Sequence, residues 1–291
     1  MNISRFNKLL NSPASRILPF GEHLFKFRRT NLEINDLKKF YSTQKLAMTA
    51  AKEISKIVKP GMTELEVSSL LDTYLRDHGV NAFVHYSFAW FANRTRFDHC
   101  QKYKDLMPSR KVLEENDIFI LDTAPVLNGT PADIGLSFCL GERDDFKKAM
   151  IQLNKIKHRI PTLFELNCAS GKKIYEWINQ MIENAEYDPI HRLYPFGVLA
   201  HRLYDVPFEN LPGLFKPFTW QAYWSLLSRG FYNETISGNK NINLDGIWAI
   251  EPHLGGLGFG VKFEEMLFVE KGKARWISKM DELNELEREN D

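Results

Sequence analysis

Ile118–Gly141 reads IFILDTAPVLNGTPADIGLSFCLG. Two apolar runs, residues 118–126 and 132–140, flank Asn128-Gly129, a dipeptide that between such runs predicts a β-hairpin. Each run carries one carboxylate, Asp122 and Asp133, and their separation is odd. A chain folded about Leu127-Asn128 sets the two directly opposite each other. Folded about Asn128-Gly129, it makes them diagonal neighbours on one face. Like charges so placed repel, and burying them calls for a shared proton or a cation. The hairpin therefore points to a metal site.

A second pair follows the same logic. Glu251 lies in IWAIEPHL and Glu264 in GVKFEEMLFV, again at an odd separation, so a turn at Leu257-Gly258 places them opposite each other. Glu265 then faces the other way. Between the two hairpins a single histidine, His201, sits in the short apolar stretch 195–205. Singly, each of these residues also suits a strand end, a turn or a packed core. Together, four carboxylates and one imidazole suit two divalent cations about 3.5–4 Å apart.

The rest of the chain sets bounds. Its 291 residues, 44% hydrophobic, are enough to bury a core as one large domain or two small ones. The net charge of +1 is spread without long blocks, which gives no basis for a nucleic-acid or membrane partner. No apolar run approaches the roughly 18–20 residues of a membrane span, and the first residues lack a signal-peptide core. Cys100, Cys139 and Cys168 are odd in number and show no CxxC spacing, as expected of reduced thiols in a cytoplasmic protein.

Periodicity predicts an irregular arm over 1–32 and a main body over 33–279. The body opens with a helix from Asn35 to Val58, stopped by Pro60-Gly61. Thr63 and Glu66 form a capping-box signature opening a second helix to about His78. An aromatic strand and loop covers 83–99. Helices follow over 144–169 and 171–185, broken near Pro161 and Gly171. Residues 207–245 read as an insert with one short helix near Trp220–Leu227, and 280–291 as a charged tail. His23, His78, His158 and His191 lie away from the motifs and read as surface residues.

These motifs resemble those of the pita-bread metallopeptidases, the family of methionine aminopeptidase, aminopeptidase P and prolidase. FILDTAP looks like the family's Ile-Asp-x-Gly strand, and Ala132–Phe138 is similar to its Gly-Asp-x-x-Arg-Thr-Phe. Leu199-Ala200-His201 looks like Leu-Gly-His, Ala249–His253 like Thr-x-Glu-Pro-Gly, and Val261–Leu267 like Val-Arg-Ile-Glu-Asp-Thr-Val. Five motifs in the family's order, spread from about Asn35 to Ser278, make the resemblance specific.

The resemblance implies an α+β pita-bread fold, a pseudo-two-fold antiparallel sheet flanked by helices. It implies two metal ions (manganese, cobalt, iron or zinc) bridged by Asp133 and Glu264. Asp122 would complete one ion's shell, and His201 with Glu251 the other's. A metal-bridging hydroxide would then remove the N-terminal residue of a peptide, as in an aminopeptidase or Xaa-Pro peptidase. Glu251 would take the water's proton, and His99 or His253 would steady the oxyanion, with His85 competing for the place of His99.

The departures are equally specific. Phe208 stands where active family peptidases carry a substrate-contacting histidine, and Gly197 where the prolidase branch has another. Leu136 and Ser137 replace the arginine and threonine of the second motif, and His253 replaces the glycine of Glu-Pro-Gly. The amino-terminal domain of the prolidase branch is expected to be lacking. Two alternatives follow: a pseudo-peptidase acting as a binding module, and a hydrolase of a small non-peptide substrate. The expected partners are a peptide or small-molecule substrate and a second copy in a homodimer.

Overall fold

The computed structural model describes residues 34–100, 102–205, 234–238 and 242–279. The expected arm, most of the insert with Phe208 and its short helix, and the charged tail lie outside the described residues.

Helix α1 spans Ile34–Ile57 and α2 spans Glu64–Asp77. Thr63 caps α2 through the expected box. Its hydroxyl accepts from the Glu66 amide, and the Glu66 carboxylate accepts from the Thr63 amide at 2.7 Å. Strand β1, Ala82–Phe91, leads into the first hairpin, built from β2 (Ile118–Leu127), β3 (Thr130–Pro131) and β4 (Ile134–Cys139).

Helices α3, Asp144–Glu165, and α4, Gly171–Glu183, come next. The expected break at Pro161 is absent, because α3 runs through it. Proline removes the N–H that would bond the Lys157 carbonyl. The indole Nε1 of Trp276 donates to that carbonyl instead, at 3.3 Å.

Short strands β5 (Asp188–Pro189), β6 (Ala200–Leu203) and β7 (Thr235–Ile236) precede β8 (Gly246–Ile250) and β9 (His253–Gly256). The long β10 (Phe259–Glu270) and then β11 (Lys273–Trp276) close the order. The strands form one sheet in the order β1-β2-β4-β10-β8-β6-β7, with β9 and β11 also paired to β10. Strand β10 is the hub, since it bonds β4, β8, β9 and β11 in turn. One apolar core packs α3 and α4 against this hub, and another packs α1 and α2 against β1, β2 and β4.

A buried carboxylate fixes the turn after β1. Glu64, fully buried at the start of α2, accepts from the Phe91 and Ser109 amides, the Ser109 hydroxyl and the Arg94 guanidinium. Removing it strands a partly buried cation and several donors. Glu64→Ala should therefore lower stability by roughly 3–5 kcal/mol in a denaturant melt. A loss of a few tenths would show that the network is not holding this segment.

Candidate metal centre

The first hairpin turns at Asn128-Gly129, where both residues have positive φ, 51° and 79°, as a two-residue hairpin loop requires. Leu127 pairs with Thr130 and Asp122 with Gly135. Asp122 and Asp133 are thus diagonal neighbours on one face, the second of the two sequence alternatives. The second hairpin turns at Leu257-Gly258 as expected, with Gly256 paired to Phe259. Its register, Lys262 to His253 on one side and Glu265 to Ile250 on the other, sets Glu251 across from Glu264.

Strand β4 joins the two hairpins. Gly135 lies opposite Asp122 on one side and Glu264 on the other, so three adjacent strands carry Asp122, Gly135 and Glu264 in a row, with Glu251 one residue past the end of the next strand, β8. All three carboxylates are buried, as is Asp133. Glu265 points away as its parity requires and ion-pairs with Lys157 beneath the sheet.

The residue at the middle of this row was not singled out from the sequence. Lys262, two positions before Glu264 and therefore on the same face, extends its side chain into the space above Gly135. Its Nζ donates to Asp122 Oδ2 at 2.6 Å, Glu251 Oε2 at 2.9 Å and Glu264 Oε2 at 2.9 Å. Gly135 makes the room. A Cβ there would lie 2.6 Å from Lys262 Cε and 3.2 Å from Nζ. The Tyr194 ring stands over the ammonium, 5.4 Å away, and burial holds the Tyr194 phenol well above its usual pKa.

Two imidazoles occupy the other side. His201 Nε2 lies 3.1 Å from Asp133 Oδ2 and 3.6 Å from Glu264 Oε1. His85, from β1, places Nε2 3.3 Å from Asp133 Oδ1 and 3.5 Å from Asp122 Oδ1. Burial alone would raise the Asp133 carboxyl, but the two histidines outweigh it and hold it below the usual range. Burial would lower both imidazoles, yet their carboxylate partners prevail. His85 is raised to about 9 and His201 well above its usual value. Burial and the adjacent Glu264 push Glu251 up to about 8.

This donor set suits a divalent cation. Two overlapping groups, His85–Asp122–Asp133 and Asp133–His201–Glu264, each bring one oxygen or nitrogen per residue within 4.8 Å of one another. Asp133 belongs to both. Glu251 belongs to neither; its Oε2 accepts from Lys262.

The other two histidines named from the sequence sit differently. His99 is exposed and its Nε2 meets Arg94 Nη1 at 2.9 Å, in a groove lined by Lys102, Lys104 and Asp105 rather than beside the carboxylates. His85, the competing choice, is the one beside them. His253 is buried, with Nδ1 bonded to Tyr194 Oη at 2.8 Å. Its Nε2 has no partner of hydrogen-bond geometry, although the Thr95 carbonyl acts on it as a nearby acceptor. Through Tyr194 it is linked to Lys262, with no bond to a carboxylate.

His191, expected at the surface, is fully buried instead. Its Nε2 meets Asn179 Oδ1 at 2.9 Å and its ring edge meets Tyr175 on α4. Burial, reinforced by Arg192, pushes it down to about 3. A folded-state pKa below the unfolded one gives stability that is complete above about 6.5 and lost as the pH falls from there towards 3. His191→Gln should therefore lose less stability than the parent chain between neutral and acidic pH. Parallel losses in paired denaturant melts would contradict a buried neutral imidazole.

An antiparallel sheet flanked by helices, with buried carboxylates gathered from neighbouring strands around its hub, defines a pita-bread protein. The chain belongs to metallopeptidase family M24, whose profile matches residues 38–271. It is 24% identical over 267 residues to a Mycoplasma genitalium protein provisionally named an Xaa-Pro aminopeptidase, covering 87% of this chain and 64% of that one. A Staphylococcus epidermidis methionine aminopeptidase is 27% identical over 118 residues, 40% of this chain and 45% of the relative. The chain thus spans less than two thirds of the length of these curated relatives. A solved dipeptidase from Pyrococcus horikoshii superposes with a TM-score of 0.65 at 19% identity, covering 92% of this chain and 65% of that one. A Thermotoga maritima methionine aminopeptidase does so with a TM-score of 0.59 at 14% identity, covering 84% and 97%. Among the described residues no helix is long and apolar enough to cross a membrane.

Proposed function

We propose that the chain is a metal-dependent peptidase that removes the N-terminal residue of a short peptide, in the manner of an aminopeptidase or Xaa-Pro peptidase. The observation carrying this reading is the Asp133–His201–Glu264 group. Two buried carboxylates there flank an imidazole whose side chain remains 25% exposed, so the group is buried for strength yet reachable by substrate. Family membership and the names of the relatives support the same class. A divalent cation held there would supply a Lewis acid and a readily ionised water. Manganese, cobalt, iron and zinc all suit such donors.

The chain's own residues would divide the remaining work. Asp133 holds the His201 and His85 rings in place through its two oxygens. Glu251, buried and bonded to Lys262 beside Glu264, is the carboxyl placed to accept and return a proton. The test is product analysis by mass spectrometry on short peptides with free or acetylated N-termini. Cleavage confined to the free peptides, one residue at a time, is the expected result. Internal cleavage, or equal cleavage of both sets, would overturn the assignment.

A second reading, a binding module without turnover, is favoured by Lys262. Gathering four carboxylates without metals is costly when nothing offsets them, and here a buried ammonium offsets three. Peptides bound by the chain but left intact would decide for that reading.

A further inference from the structure

We infer that His85 is a metal ligand, its Nε2 joining Asp122 and Asp133 around a cation beside the one at His201. This rests on the metal-dependent reading above and changes its donor set. The family resemblance gives that ion carboxylate oxygens alone and offers His85 only as a group to steady the oxyanion.

The ring is oriented for ligation. Its Nδ1 lies 2.9 Å from the Tyr86 carbonyl. A carbonyl accepts only from an N–H, so a neutral imidazole here carries its proton on Nδ1 and its lone pair on Nε2. Metal-bound histidines are held in this way, with the other ring nitrogen donating to a carbonyl or carboxylate. Strand β1 slips register on both sides of His85, and such bulges re-aim a side chain. Here the imidazole is brought to the two aspartates.

The spacing separates a ligand from a simple ion pair. His85 Nε2 is 3.3 Å from Asp133 Oδ1 and 3.5 Å from Asp122 Oδ1. Two donors bound to one ion at roughly 2.0–2.2 Å, with a tetrahedral angle between them, stand about 3.3–3.6 Å apart. An imidazolium paired directly with a carboxylate would close to about 2.7–2.9 Å, and its one Nε2–H could aim at only one of the two oxygens. The remaining oxygens are engaged elsewhere. Asp122 Oδ2 accepts from Lys262, and Asp133 Oδ2 lies 3.1 Å from His201 Nε2.

The two positions differ in access. The His85 side chain is 7% exposed and that of His201 25%, so the His85 ion is enclosed and the His201 ion is the one a substrate reaches. A nitrogen bonded to the metal cannot also donate to an oxyanion, so that task does not fall to His85.

The test loads the chelator-stripped full chain with Co2+, alongside His85→Gln and His201→Gln. An imidazole bound to Co2+ shows its other N–H proton as a strongly displaced line in the proton NMR spectrum. The His85 Nδ1 proton, buried against the Tyr86 carbonyl, should give such a line and exchange slowly with water. It should vanish in His85→Gln and remain in His201→Gln, while the Co2+ retained falls in His85→Gln from about two equivalents to about one. A wild type that holds Co2+ but lacks this line, or a line that survives in His85→Gln, would overturn the inference and leave the metal-dependent reading intact. A wild type that retains no Co2+ would overturn both. Should His85→Gln fail to fold, the slowly exchanging line in His201→Gln decides, its presence supporting the inference and its absence overturning it.

Discussion

Asp133→Asn should remove metal binding and peptide hydrolysis together while leaving the fold in place. Asp133 is the residue common to both candidate donor groups, and each of its oxygens meets a different histidine. The amide keeps the size of the carboxylate but not its charge. It also presents an N–H2 group where one imidazole needs an acceptor. Loss of an outer partner to a metal ligand already weakens affinity or activity about 10–100-fold, so loss of the shared ligand itself should exceed that. His85 and His201 should also fall back towards ordinary values, because the carboxylate that raises them is gone. Isothermal titration with Mn2+ and a histidine-detected NMR titration would check the two halves. Undiminished Mn2+ affinity would place the cation elsewhere.

Lys262→Met should give a large loss of stability in metal-free buffer. The substitution leaves Asp122, Glu251 and Glu264 buried side by side without the cation that bonds all three. Breaking a buried ionic group in this way costs roughly 3–5 kcal/mol. The sign of its pH dependence follows. Carboxylates crowded together bind protons more readily folded than unfolded, so the variant gains stability as the pH falls and loses it as the pH rises. Divalent metal should restore what the ammonium supplied, because a ligand bound only by the folded state stabilises it in proportion to the logarithm of its concentration. Thermal melts of the variant in chelator and in Mn2+, at several pH values, test this. A melting temperature insensitive to both metal and pH would mean that Lys262 is not the balancing charge.

Both hairpins were legible because their evidence is local. Asn128-Gly129 and Leu257-Gly258 fix where the chain folds back, and parity then decides which carboxylates share a face. The capping box at Thr63 was readable for the same reason. Lys262 was visible too, in Val261-Lys-Phe-Glu264, but it was read as part of a motif. Its parity with Glu264 already placed it among the carboxylates, and Gly135, small and opposite Asp122, marked the space it enters.

The histidines were harder. The pairing of β1 with β2 slips on both sides of His85, between Phe83 and His85 and again before Phe88. Alternation along β1 therefore could not say which way His85 faces. His99 stood at a plausible distance in sequence, but the turn that follows β1 directs it to Arg94. His191 is buried by α4, through Asn179 and Tyr175, contacts that the polar look of its neighbours did not announce. Pro161 stays inside α3 because a tryptophan far along the chain occupies the carbonyl it frees.

The most direct test of the central claim is hydrolysis of unblocked dipeptides and Xaa-Pro peptides by the chelator-stripped chain, before and after Mn2+ is added. The account predicts no turnover before addition, release of the N-terminal residue after it, and a return to none when chelator is restored. Mn2+ bound at the site with every peptide left intact would contradict it, and would make the cluster a binding site in which Lys262 and the metal only balance charge.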